Sequence, residues 1–133
     1  MKSEDENAQA TSIYPEQELT GRILEAAFAV HNSLGAGFLE KVYENALLIE
    51  LRSMQICCSS QASLQVRYKG FVVGDYQADV LVEGRVLVEL KACSALDSNH
   101  EAQLMNYLRA SSLKVGLLLN FGRPKLQYRR FVS

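Results

Sequence analysis

The sequence predicts one α+β domain, an α/β mixed sheet with helices packed on it. Three observations predict it. Apolar residues recur at helical spacing up to about Ser53, and strand-type alternation begins at Leu64. Tight-turn signals at Lys69-Gly70 and Glu83-Gly84 join three successive strands as antiparallel neighbours. A helical segment then separates the third strand from a fourth, which makes that pair parallel. A chain of 133 residues with 48% hydrophobic content suits a single core.

Residues 1–16 are polar, acidic and aperiodic, and read as a disordered tail ahead of a domain spanning 17–133. The first helix carries Leu19, Ile23, Ala26, Ala27, Val30 and Leu34 on one stripe, and Gly35 and Gly37 stop it. A second helix runs from about Leu39 to Ser53, with Val42, Ala46 and Ile49 on one face. Leu64 to Tyr68 alternates as a half-buried strand. Phe71 to Val82 is a longer strand, with a bend at Gly74-Asp75, and Val86 to Ala92 is a third. Ser98 to Glu101 has the form of a capping box opening a helix over Asn99 to Ala110. Val115 to Asn120 is apolar enough for burial on both faces, and Leu126 to Phe131 is an edge strand.

Several classes are excluded. No apolar run approaches a membrane span, and no basic start followed by an apolar stretch marks a secretory signal. Cys57, Cys58 and Cys93 form neither a disulfide framework nor a zinc motif, so a reducing cytoplasm is the default setting. Net charge is −1, but residues 1–16 hold Lys2 against Glu4, Asp5, Glu6 and Glu16. The rest is therefore slightly basic. Arg123, Lys125, Arg129 and Arg130 are uninterrupted by acids, either as nucleic-acid contacts or as a solvated edge.

The third strand carries the chemistry. Val86, Val88, Leu90 and Ala92 alternate with Leu87, Glu89 and Lys91, so the two charged residues share the face opposite the first set. Asp79 lies one hairpin away. Two carboxylates and a lysine supply what phosphodiester hydrolysis needs: hard oxygens for a divalent cation, and an ammonium to serve the attacking water. An ion pair on an exposed sheet face is the simpler alternative. A shared metal site requires Asp79 and Glu89 on one face. The expectation is therefore a three-residue loop, Val82-Glu83-Gly84, pairing Leu81 with Arg85, or an equivalent bulge between Asp79 and Gly84, because a one-residue slip would move Asp79 through the sheet.

Gly37-Phe38-Leu39-Glu40-Lys41-Val42-Tyr43 resembles the signature of the GxxExxY family, which is placed in the PD-(D/E)XK nuclease superfamily. The likeness extends through His31-Asn32-Ser33-Leu34-Gly35, Tyr76-Gln77-Ala78-Asp79, Val88-Glu89-Leu90-Lys91-Ala92, His100 to Leu104 with Tyr107, and Gly116 to Phe121. Gln77 stands where an arginine is usual, and Ala36 where a proline is usual. The resemblance implies a restriction-endonuclease-like αβββαβ core preceded by one extra helix. It implies that Asp79, Glu89, the Leu90 carbonyl and Glu40 hold Mg²⁺ or Mn²⁺, that Lys91 serves the water, and that Gln103 assists. Tyr43, Tyr107 and His100 would support the site. The activity implied is a metal-dependent endonuclease acting on DNA. A non-catalytic nucleic-acid-binding or assembly module, working as a homodimer or with a protein partner, is the alternative from another class.

Overall fold

The computed structural model describes residues 15–133. Most of the expected acidic tail lies outside the described residues. The order is α1 (Gln17–Leu34), α2 (Glu40–Ser53), β1 (Cys58–Tyr68), β2 (Phe71–Val82), β3 (Val86–Lys91), α3 (Ser98–Ser111), β4 (Val115–Asn120) and β5 (Gln127–Val132). The five strands lie in chain order in one sheet. β3 and β4 are parallel and the other neighbours antiparallel, as the hairpins and the α3 crossover require.

α1 and α2 cover one face of the sheet. Ile23, Ala26, Ala27, Leu47 and Leu51 meet Val80, Val82, Val86, Val88, Leu90, Leu117 and Leu119 there. α3 covers the other face, where Leu104 and Leu108 meet Leu87, Leu118 and Ala78. All six residues of β4 are buried, as its composition predicts. A fully buried leucine contributes about 1.5–3 kcal/mol, so these two clusters hold the helices on the sheet. No helix among the described residues is long and apolar enough to cross a membrane.

Four local expectations are corrected. The buried stripe of α2 is Tyr43, Leu47, Leu48 and Leu51, with Glu44 among them, while Val42 and Ile49 are exposed. β1 starts at Cys58, six residues earlier than its alternation suggests, because Ser59, Ser60 and Gln61 carry no apolar signal. α3 is capped by Asp97, not Ser98: its carboxylate accepts from the His100 N–H at 2.9 Å, and the His100 ring accepts from the Asp97 N–H. The β2–β3 loop is Glu83-Gly84-Arg85, pairing Val82 with Val86 instead of Leu81 with Arg85. Glu83 and Gly84 take left-handed φ of 55° and 66° to make it. This register differs from the expected one by two residues, so the side-chain faces are the ones expected.

Candidate active site

Residues 58–64 of β1 and 76–82 of β2 do not form a regular ribbon. In one, Cys58, Ala62, Leu64, Tyr76, Ala78, Val80 and Val82 would all share a face. Instead Cys58, Val80 and Val82 pack toward α1 and α2, and Ala62, Leu64, Tyr76 and Ala78 toward α3. The exchange falls at Gln61 and Asp79, where the pairing skips from Ser60–Val80 to Ala62–Ala78. Gln61 has a φ of 52°, and a single left-handed residue turns the strand out of its pleat.

The β2–β3 ladder ends at the same point. Its last pair is Val80–Val88. A further step would set Leu90 opposite Ala78, with the Leu90 N–H and carbonyl both directed at β2. Asp79 Oδ2 accepts from the Leu90 N–H at 2.9 Å, and Glu89 Oε2 accepts from the Asp79 N–H at 3.1 Å. Each carboxylate is thereby tied to the backbone of the opposite strand, which draws both into the gap where the strands part. Both are half-buried.

Their electrostatics follow from that confinement. Burial pushes the Glu89 carboxyl up to about 7, the Asp79 charge adds to the rise, and Lys91 opposes it. Burial also raises Asp79; the Leu90 N–H opposes it, Glu44 and then Glu40 add to it, and Lys91 again opposes. Lys91 thus acts on both acids from two residues along β3. The Tyr76 hydroxyl is buried beside Glu89 without a well-aligned hydrogen bond, and burial followed by the Glu89 carboxylate drives its pKa far above the phenol range. The Tyr76 ring stacks on Tyr107 of α3, centroids 3.3 Å apart.

The sequence profile of the PD-(D/E)XK nuclease superfamily matches residues 17–131. The chain belongs to the PD-(D/E)XK nuclease superfamily. Among solved structures, one described as the crystal structure of SSO0001 is similar in fold, with a TM-score of 0.52 at 16% sequence identity. The match covers 89% of this chain and 59% of that one, so this chain spans less than two thirds of its length. No curated protein matches the chain.

PD-(D/E)XK nucleases generally use divalent metal ions, and the donors here fit one. Burial raises both half-buried carboxylates, the Asp79 charge raises Glu89 further, and they stand in a gap that the Leu90 carbonyl also faces, so a cation would favour the charged form of both. Mg²⁺ is commonly held by one or two carboxylates with waters completing its shell. Among the described residues no third His, Cys, Asp or Glu joins the pair in a ready-made ligand group. Glu40 is exposed at the start of α2, and the inward carboxylate of that helix is Glu44. Glu44 is 5% exposed and accepts from Lys41 Nζ at 3.1 Å and from Gln61 Nε2 at 3.2 Å. Sequence reasoning missed it, although Tyr43, Leu47, Leu48 and Leu51 define a stripe that contains it.

The remaining candidates divide. Tyr107 reaches the site through Tyr76. Gln103 is exposed, one turn away on the same flank of α3. His100 is half-buried in the cap of α3. Tyr43 is a core residue: it stacks on Phe121, donates to the Gly35 carbonyl at 2.5 Å and accepts from the Phe38 N–H at 3.1 Å, holding the α1–α2 loop. The four basic residues do not form one patch. Arg129 reaches Glu101 of α3 at 3.5 Å, whereas Arg130 points through the other face to Thr20 of α1. Arg123 lies against the Ser94 carbonyl, and Lys125 is exposed in the β4–β5 loop.

Proposed function

We propose that this protein is a metal-dependent nuclease that hydrolyses phosphodiester bonds in DNA, with Asp79, Glu89 and the Leu90 carbonyl holding Mg²⁺ or Mn²⁺. The observation that carries the reading is the carboxylate pair interlocked where β2 and β3 part. Like charges confined together are costly without a compensating cation. A bound divalent ion lowers the pKa of a water and neutralises charge on the phosphoryl oxygens.

Lys91 stands on the same face of β3 as Glu89 and supplies a positive charge that does not compete for the metal. Its role is to orient the attacking water and stabilise the charge that develops at phosphorus. Tyr76 and Tyr107 wall the Glu89 side against solvent, and Glu44 sets the charge on the α2 side of Asp79. Within the superfamily, the run from Gly37 to Tyr43 supports membership of the GxxExxY family.

The test is digestion of single-stranded, duplex and branched DNA, and of RNA, with Mg²⁺ or Mn²⁺. Cleavage of DNA that disappears on chelation is expected. Lys91→Ala should keep the metal response of wild type and lose about a hundredfold or more in rate, the scale of one electrostatic donor to the transition state. Undiminished cleavage by Lys91→Ala would remove lysine from the mechanism. A wild-type protein inert on every substrate would overturn the nuclease reading.

A further inference from the structure

Past Asp79, β1 and β2 continue as a two-stranded arm. β3 pairs with β2 only over Val80–Val82, and α3 covers the arm's root through Ala62, Leu64 and Tyr76. Beyond them lies a tip closed by Lys69-Gly70. Both residues have left-handed φ, 50° and 84°, as a two-residue hairpin turn requires. Tyr68 and Phe71 flank the turn and are 64% and 74% exposed. Burying these side chains would have stabilised the fold, so their exposure points outward, to a ligand.

Charge identifies which ligand. The chain as a whole is slightly acidic, yet no acidic residue occurs from Leu51 through Gly74, where Arg52, Arg67 and Lys69 lie; Asp75 is the next acid. The Arg67 guanidinium is held at the tip by the Gln65 side chain and the Gly70 carbonyl, and Lys69 Nζ lies 5.5 Å from the centre of the Tyr68 ring. Where the arm's root meets the end of α3, an open groove has Ser63, Gln65, Arg67, Ser111 and Ser112 in its lining beside the apolar Leu64 and Ala110, and no carboxylate. Hydroxyls, an amide and a guanidinium are suited to a sugar–phosphate backbone, and exposed aromatic and apolar side chains to bases or a groove wall.

We propose that the β1–β2 arm is a nucleic-acid-binding element, with Arg67 and Lys69 meeting phosphates and Tyr68 and Phe71 packing on the nucleic acid between them. This rests on the nuclease reading, since the arm springs from the strand break that holds Asp79. Asp79 lies eight positions along the strand from Phe71, a reach of roughly 26 Å at the rise of a strand. That corresponds to about eight base pairs of duplex. The arm therefore grips the substrate well away from the bond to be cut.

The experiment is fluorescence anisotropy of the full chain with a labelled mixed-sequence duplex of roughly 25 base pairs, with Ca²⁺ as the metal, over a range of salt. The double variant Arg67→Gln, Lys69→Gln should bind about tenfold more weakly, with a salt slope lower by about 2. The charge-keeping pair Arg67→Lys, Lys69→Arg should retain both values. All variants should keep the wild-type thermal response to Mn²⁺, showing an intact fold and site. Unchanged affinity and slope in the double variant would overturn the arm and leave the nuclease reading standing. Wild type that responds to Mn²⁺ but binds no duplex would also overturn it. So would Phe71→Ser altering the sedimentation of the protein without altering duplex binding, because the tip would then be a self-association surface. Failure of the nuclease reading is distinct: wild type would show no Mn²⁺ response.

Discussion

Glu89 is placed against its own ionisation. Its carboxyl is shifted from 4.5 to about 7, first by burial and then by Asp79, so the folded chain holds that proton more tightly than the unfolded one. Stability from this group is complete below 4.5 and is lost as pH rises through about 7 in the absence of metal. Asp79 shifts in the same direction and adds to the loss. Glu89→Gln should remove most of that decline and melt above wild type at about pH 8 without metal. The same variant should lose the rise in Tm that Mn²⁺ gives wild type. Melting curves from about pH 5 to about pH 8 check both, and a Glu89→Gln profile parallel to wild type would contradict the placement. At this scale Asp79, Glu89 and Lys91 were legible because strand alternation puts Glu89 and Lys91 on one face. Glu44 was not, because the apolar pattern of α2 admits two stripes and only packing chooses between them. Tyr76 was visible as part of a motif, but its contact with Glu89 depends on the face exchange at Asp79, which no periodicity announces.

The end of β3 is fixed by elements distant in the chain. The buried Asn120 side chain accepts from the Cys93 and Gly122 N–H groups and donates to the Cys93 carbonyl, and the Phe121 N–H donates to the Lys91 carbonyl. Gly122 lies so close that an added Cβ would stand 2.4 Å from the Cys93 nitrogen and 2.5 Å from its oxygen. Backbone cannot yield as a side-chain tip can. Gly122→Ala should therefore destabilise the protein by about 3 kcal/mol and weaken metal binding by displacing β3. Denaturant unfolding and a metal titration check this, and a change under about 0.5 kcal/mol would show the clamp to be loose. Most elements were legible from apolar spacing and turn residues. The first six residues of β1 were not, because their pairing with β2 is carried by backbone under polar side chains. The cap of α3 was misread because Asp97 and Ser98 are adjacent residues that both suit a helix start.

At the scale of the molecule, a mixed sheet with α1 and α2 on one face and α3 on the other brings separate features to a single strand break. The order of strands and the parallel β3–β4 pair followed from turn spacing and one crossover helix. The break itself did not, because it depends on Gln61 adopting a conformation that its sequence context does not demand. The basic residues of the last strand illustrate the same limit: side-chain alternation sends Arg129 and Arg130 to opposite faces, and a count of charges cannot show that they serve different helices. The central claim is that Asp79 and Glu89, held in the break, share one divalent cation. Calorimetric titration of Mn²⁺ into wild type and into the double variant Asp79→Ala, Glu89→Ala tests it most directly. One site in wild type and none in the variant is the predicted result. Equal Mn²⁺ binding by a folded double variant would contradict the account.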